Sequence, residues 1–223
     1  MMIEKVIGVR SVGALVVGGA LWFAASFAHA SVVASGEGTV IDVPPSVEAG
    51  SLTSDSNFYV FEEKTTTLGA PLAVDWFASN GGNLANGGGG TIAAGTRLTS
   101  YFVHFDPVTG GKEVGGDLTF SQKIIAVIFS SSNLDASDSV LGAAGTAYPG
   151  GVGARKYESF DQDNSYLVND FTLHINTKSW SLDQARVITA PVPVPAALWL
   201  FGSGILALLG ISRRRKAAAT AAA

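Results

Sequence analysis

Hydrophobic and polar positions alternate through much of the middle of the chain. In residues 100–106 (SYFVHFD), Tyr101, Val103 and Phe105 fall on one side and Phe102, His104 and Asp106 on the other, which is the two-residue period of a strand. The same period runs through 117–123 (DLTFSQK) and 164–175 (NSYLVNDFTLHI), and the aromatic, β-branched run 57–61 (NFYVF) has strand composition. Residues 71–79 (PLAVDWFAS) read as one further strand, and 179–182 and 185–189 as two closing ones. The continuous apolar run 124–129 (IIAVIF) is too short for a helix and fits a central strand. Between these pieces lie Pro44-Pro45, the glycine-rich run 80–90 (NGGNLANGGGG), the turn 107–111 and the Ser-, Asp- and Gly-rich section 130–154. No amphipathic helix of more than two turns is visible between 31 and 190. The pattern predicts an all-β domain over 31–190, roughly seven to ten short strands in an antiparallel β-sandwich or jelly roll.

Both ends of the chain break this pattern. Residues 11–28 are almost wholly apolar, follow Lys5 and Arg10, and run into Ala28-His29-Ala30. A basic start, an apolar middle and a small-x-small site predict a signal peptide over 1–30, with Ala28 and Ala30 at the cleavage position. Near the other end, 196–211 carries no charge and is followed by Arg213, Arg214, Arg215 and Lys216. As a helix it spans about 24 Å against a hydrocarbon core of about 30 Å. The basic cluster supplies a cytoplasmic stop, so a transmembrane helix over 196–212 is predicted, with 217–223 a disordered tail.

Charge narrows the partners. Residues 31–190 hold 17 acidic against eight basic side chains, a formal charge of −9, which leaves no basic surface for nucleic acid. The chain has no cysteine, so disulfides and thiolate metal sites are excluded. His104 and His174 both fall in strand patterns, no GxSxG elbow occurs, and no Lys-Ser or Lys-Thr follows the glycine-rich run. No catalytic residue is assigned, and a non-catalytic protein is expected. Asp161 and Asp163, with Asp135 and Asp138 in a section of similar character, supply side-chain oxygens of the kind calcium takes, although Asp and Asn in turns mostly serve nearby backbone groups. Phe102, beside His104 and Asp106, would be placed to stack on a sugar ring if it faced solvent.

The segment Pro193-Val194-Pro195, followed by an apolar stretch containing Trp199-Leu200-Phe201-Gly202-Ser203-Gly204 and then the arginine cluster, resembles the PEP-CTERM sorting signal of exported bacterial proteins. Val194 stands where that family usually has glutamate. The resemblance covers 191–216. It implies an exosortase-type membrane protease as a partner alongside signal peptidase, with the chain transiently membrane-anchored and then released to the cell surface or medium. It also implies association with exopolysaccharide. The expected function is a non-catalytic surface or extracellular-matrix protein. The alternative is a carbohydrate-binding module, calcium-assisted or not.

Overall fold

In the computed structural model, which describes residues 31–150, 155 and 165–190, the chain builds three open sheets and one α-helix. In chain order the elements are β1 (Val32–Ala34), β2 (Gly38–Val40), β3 (Phe58–Thr67), β4 (Leu72–Val74), β5 (Trp76–Phe77), β6 (Gly90–Ile92), β7 (Arg97–Phe105), β8 (Lys112–Phe120), β9 (Lys123–Ile128), α1 (Ser131–Leu141), β10 (Tyr166–Asn169), β11 (Thr172–Ser179) and β12 (Asp183–Ala190). A six-stranded sheet has the order β2-β3-β7-β12-β9-β5, a four-stranded sheet the order β1-β8-β11-β10, and β4 pairs with β6.

The six-stranded sheet is the middle layer. One of its faces contributes Tyr101, Val103, Phe105, Val127, Ala185 and Val187 to a core shared with Val114, Leu118, Phe120, Leu173 and Ile175 of the four-stranded sheet. Its other face contributes Phe61, Phe102, Ala126 and Ile188 to a second core with Leu134 and Leu141 of α1 and Leu72, Val74 and Ile92 of the β4–β6 pair. The even positions of β7 are therefore covered as fully as the odd ones, and Phe102 is completely buried. A solvent-facing Phe102 stacking on sugar is ruled out by this second core.

The expectation of an all-β antiparallel sandwich or jelly roll is corrected to a mixed α/β domain with several open sheets. Two features overturn it: the 11-residue helix α1, and the parallel pairing of β2 with β3 (Gly38↔Phe58 to Val40↔Val60). The helix was hidden because SSNLDASDSVL is rich in Ser, Asp and Asn, which favour caps and turns over helix interiors. Its inward stripe is Leu134, Ser137 and Leu141, spaced three and four apart, so a serine holds the centre of the buried face. Tertiary contacts, described below, supply what propensity lacks. The apparent single strand 71–79 also divides at Asp75, because Leu72–Val74 pairs with β6 whereas Trp76–Phe77 pairs with β9.

The membrane expectation is corrected as well. No helix among the described residues is long and apolar enough to cross a membrane. The segment read as a transmembrane helix, 196–212, lies outside the described residues, and its uncharged run was already about 6 Å short of a hydrocarbon core. The described residues therefore give no support to transient membrane anchoring.

Glycines admit the close crossing that joins the two larger sheets. Glu37 N donates to Gly115 O (2.9 Å), and Gly115 N donates to the Glu37 carboxylate (2.7 Å). Gly36 sits at φ +64, and a Cβ on Gly116 would stand 2.0 Å from the backbone oxygen of Ser35. Gly116→Ala is therefore expected to destabilise the domain by about 1–3 kcal/mol through overpacking. Urea unfolding measures this directly, and an unchanged midpoint would show that the β1–β2 turn shifts without strain.

Candidate functional site

A cluster of fully buried polar residues lies between α1 and the six-stranded sheet. Glu63 projects from β3 and Arg186 from β12, and both side chains are fully buried. Arg186 Nε and Nη2 donate to the two Glu63 carboxylate oxygens at 2.6 and 2.7 Å, a bidentate pair. Glu63 also accepts from the Tyr148 hydroxyl (2.7 Å) and the Ser100 hydroxyl. The remaining Arg186 donors reach Asp138 (3.0 Å), the Ser137 hydroxyl and the Leu134 carbonyl, all on α1. The serine in the inward stripe of the helix is thus an arginine ligand. The guanidinium also lies 5.1 Å from the Phe102 ring centroid and 5.7 Å from that of Tyr148.

A second guanidinium extends the cluster. Arg155 donates to Asp135 (2.8 Å), Asp138, the Gln184 side-chain carbonyl (2.9 Å) and the Pro149 carbonyl (3.4 Å). Asp138 therefore bridges two arginines. Burial raises its pKa, and the charges of Arg155 and Arg186 oppose that rise. Burial works against the charge on Arg186, but Glu63 and Asp138 more than compensate and hold it protonated. Burial and the neighbouring Glu63 push the Tyr148 hydroxyl upward, so it remains a donor.

Gln184 links this cluster to His104. Its amide nitrogen donates to Val47 O (2.7 Å) and to His104 Nδ1 (3.0 Å), so the imidazole carries its proton on Nε2 and donates to Leu52 O (3.0 Å). Burial lowers the His104 pKa to about 4, against a smaller upward pull from Leu52 O and Asp106. The unfolded chain, with a histidine near 6.5, then binds the extra proton between about pH 6.5 and pH 4. Stability should be undiminished by this group above pH 6.5, fall as the pH drops to about 4, and level off below. Thermal melts should show Tm declining by several degrees over that window, with a shallower decline in His104→Gln. Parallel curves for the two proteins would remove His104 as the cause.

Asp75 closes the far end of the helix. Its carboxylate accepts the backbone N–H groups of Phe129 (2.7 Å) and Ser130 (2.8 Å), the Ser130 hydroxyl (2.7 Å) and the Asn133 amide. Ser130 is the N-cap by position, but the capping oxygens come from the β4–β5 junction.

Asp135 and Asp138, read as calcium candidates in a loop, lie on α1 with their carboxylates against Arg155 and Arg186. Asp161 and Asp163 lie outside the described residues, as do Ala28, Ala30, Pro193, Val194, Pro195, Arg213, Arg214, Arg215 and Lys216. Among the described residues no group of three or more His, Asp or Glu side chains is placed to hold a metal ion. His104 and His174 lie in different sheets, on β7 and β11. Glu63, Arg186, Arg155, Tyr148 and Asp75 were not singled out from sequence. The only local signal was a charged residue inside an otherwise apolar strand, as with Arg186 in ARVIT.

Comparison of the chain with protein-family models, with curated proteins and with solved structures gives no match.

What this arrangement does chemically is hold layers together. Each buried ion is paired, each guanidinium is shared between elements, and the acidic groups accept several donors apiece. Such a network fixes α1 on the sheet at the cost of desolvating five charges.

Proposed function

We propose that the chain is a non-catalytic structural protein of an extracellular polysaccharide matrix, processed at Pro193-Val194-Pro195. What supports the non-catalytic part of this reading is the commitment of one set of buried ionisable groups: Glu63, Arg186, Asp138 and Arg155 satisfy one another across three elements. An acid–base site needs at least one such group presented to a substrate. Here they are presented to each other. In this reading an exosortase-type protease and signal peptidase trim the two ends, and the described domain is what remains to act.

Intact-mass measurement tests the processing. Protein recovered from a producing culture is expected to begin near Ser31 and to end near residue 195. Recovery of the whole chain with residues 196–216 still attached would overturn the sorting assignment.

A second reading, a carbohydrate-binding module, is favoured by one observation. Two aromatic side chains at the ends of β11's neighbourhood, Tyr166 and Trp180, are exposed, at 42% and 73%.

A further inference from the structure

The solvent face of the four-stranded sheet carries an ordered row across three strands. Register places Tyr166 of β10 opposite His174 of β11, and His174 opposite Asp117 of β8. The Tyr166 and His174 rings lie 4.9 Å apart and are inclined at 31°. His174 Nδ1 bonds Asp117 Oδ1 at 2.6 Å, which fixes the imidazole under the tyrosine. Asn176 is the next residue of β11 on the same face as His174.

Trp180 stands just beyond the end of β11, six residues from His174, about 20 Å at the rise of a strand. Its indole lies on the turn between β7 and β8. A Cβ on Gly110 would come within 2.8 Å of the ring, and one on Gly111 (φ +77) within 3.2 Å. Two glycines therefore leave the space that this exposed indole occupies. Both aromatic residues are held in place without being buried, so little conformational freedom is lost when a ligand stacks on them.

We propose that this face binds an extended, neutral, hydroxyl-rich polysaccharide chain, with Tyr166 and Trp180 as stacking platforms and His174, Asp117 and Asn176 as hydrogen-bonding groups between them. The assignment rests on the matrix reading and names the surface through which it operates. The separation of the platforms suits a polymer of several sugar units better than a single sugar. The formal charge of −9 over 31–190 repels an acidic polymer, which selects the neutral class.

Affinity electrophoresis of the full chain tests this in gels containing a soluble β-glucan, a galactomannan or, as the anionic control, alginate. The wild type should be retarded by at least one neutral polymer and not by alginate. Tyr166→Ala and Trp180→Ala should each weaken retardation about tenfold, and Gly110→Val, which crowds the indole, should do the same. Melting curves of the alanine variants should match the wild type, since neither side chain belongs to the two buried cores. Undiminished retardation in both alanine variants would overturn this face while leaving polysaccharide association standing. Retardation by alginate alone would overturn the neutral ligand. No retardation by any polymer would overturn the face and the polysaccharide part of the matrix reading together, whereas the processing step is judged separately by mass.

Discussion

Arg186→Met should destabilise the domain by about 3–5 kcal/mol. Methionine roughly matches the volume of the arginine stem, so the loss is electrostatic more than steric. Glu63, fully buried, would be left with only the Tyr148 and Ser100 hydroxyls as donors. Asp138 would lose one of its two guanidinium partners, and Ser137 its bond beneath the helix. Adding Glu63→Gln removes the stranded charge and should recover part of the loss, so the two substitutions are strongly non-additive. Guanidinium unfolding of the two single variants and the double variant supplies the cycle. Additive losses would mean that the pair is not coupled as its 2.6 and 2.7 Å bonds require.

Asp75→Ala should cost about 4 kcal/mol. The carboxylate accepts four hydrogen bonds, and alanine leaves the N–H groups of Phe129 and Ser130 without that acceptor, at about 1–3 kcal/mol each, in addition to the lost cap. Asp75 also marks where the chain passes from the β4–β6 pair to the six-stranded sheet, so its loss should loosen α1 and that junction together. Amide hydrogen exchange is the discriminating measurement: Phe129 and Ser130 should lose protection, whereas amides of β8 and β11 should slow or quicken only with global stability. Protection retained at Phe129 and Ser130 would show that water or another side chain replaces the carboxylate.

Strands whose side chains alternate cleanly were legible because their geometry is local. All but the first residue of 57–61 and the last of 100–106 lie in β3 and β7, and 124–128 lies in β9, flanked by β12 and β5 as a short apolar run suggests. The same local reasoning misassigned Phe102, since periodicity divides residues between two faces without saying whether one of them is wet. It missed α1 for a different reason. Helix propensity within SSNLDASDSVL is low, and the helix exists because Asp75, Arg155 and Arg186 reach it from 17 to 58 residues away in the chain. The candidate site suffered most. Asp135 and Asp138 looked like free oxygens because their arginine partners lie 17 to 48 residues away.

By itself, the sequence determined the acidic charge, the absence of thiol chemistry, the principal strands and the three-part pattern of an apolar start, a strand-rich middle and an apolar-basic end. These follow from composition and from periods of two residues, which neighbours in the chain decide among themselves. Tertiary structure alone decided that both faces of the six-stranded sheet are covered, that a serine-rich stretch is helical, and that the strongest charges neutralise one another inside. It also decided which aromatic side chains remain outside. Burial and pairing are properties of residues far apart in sequence, and only the folded chain brings them together.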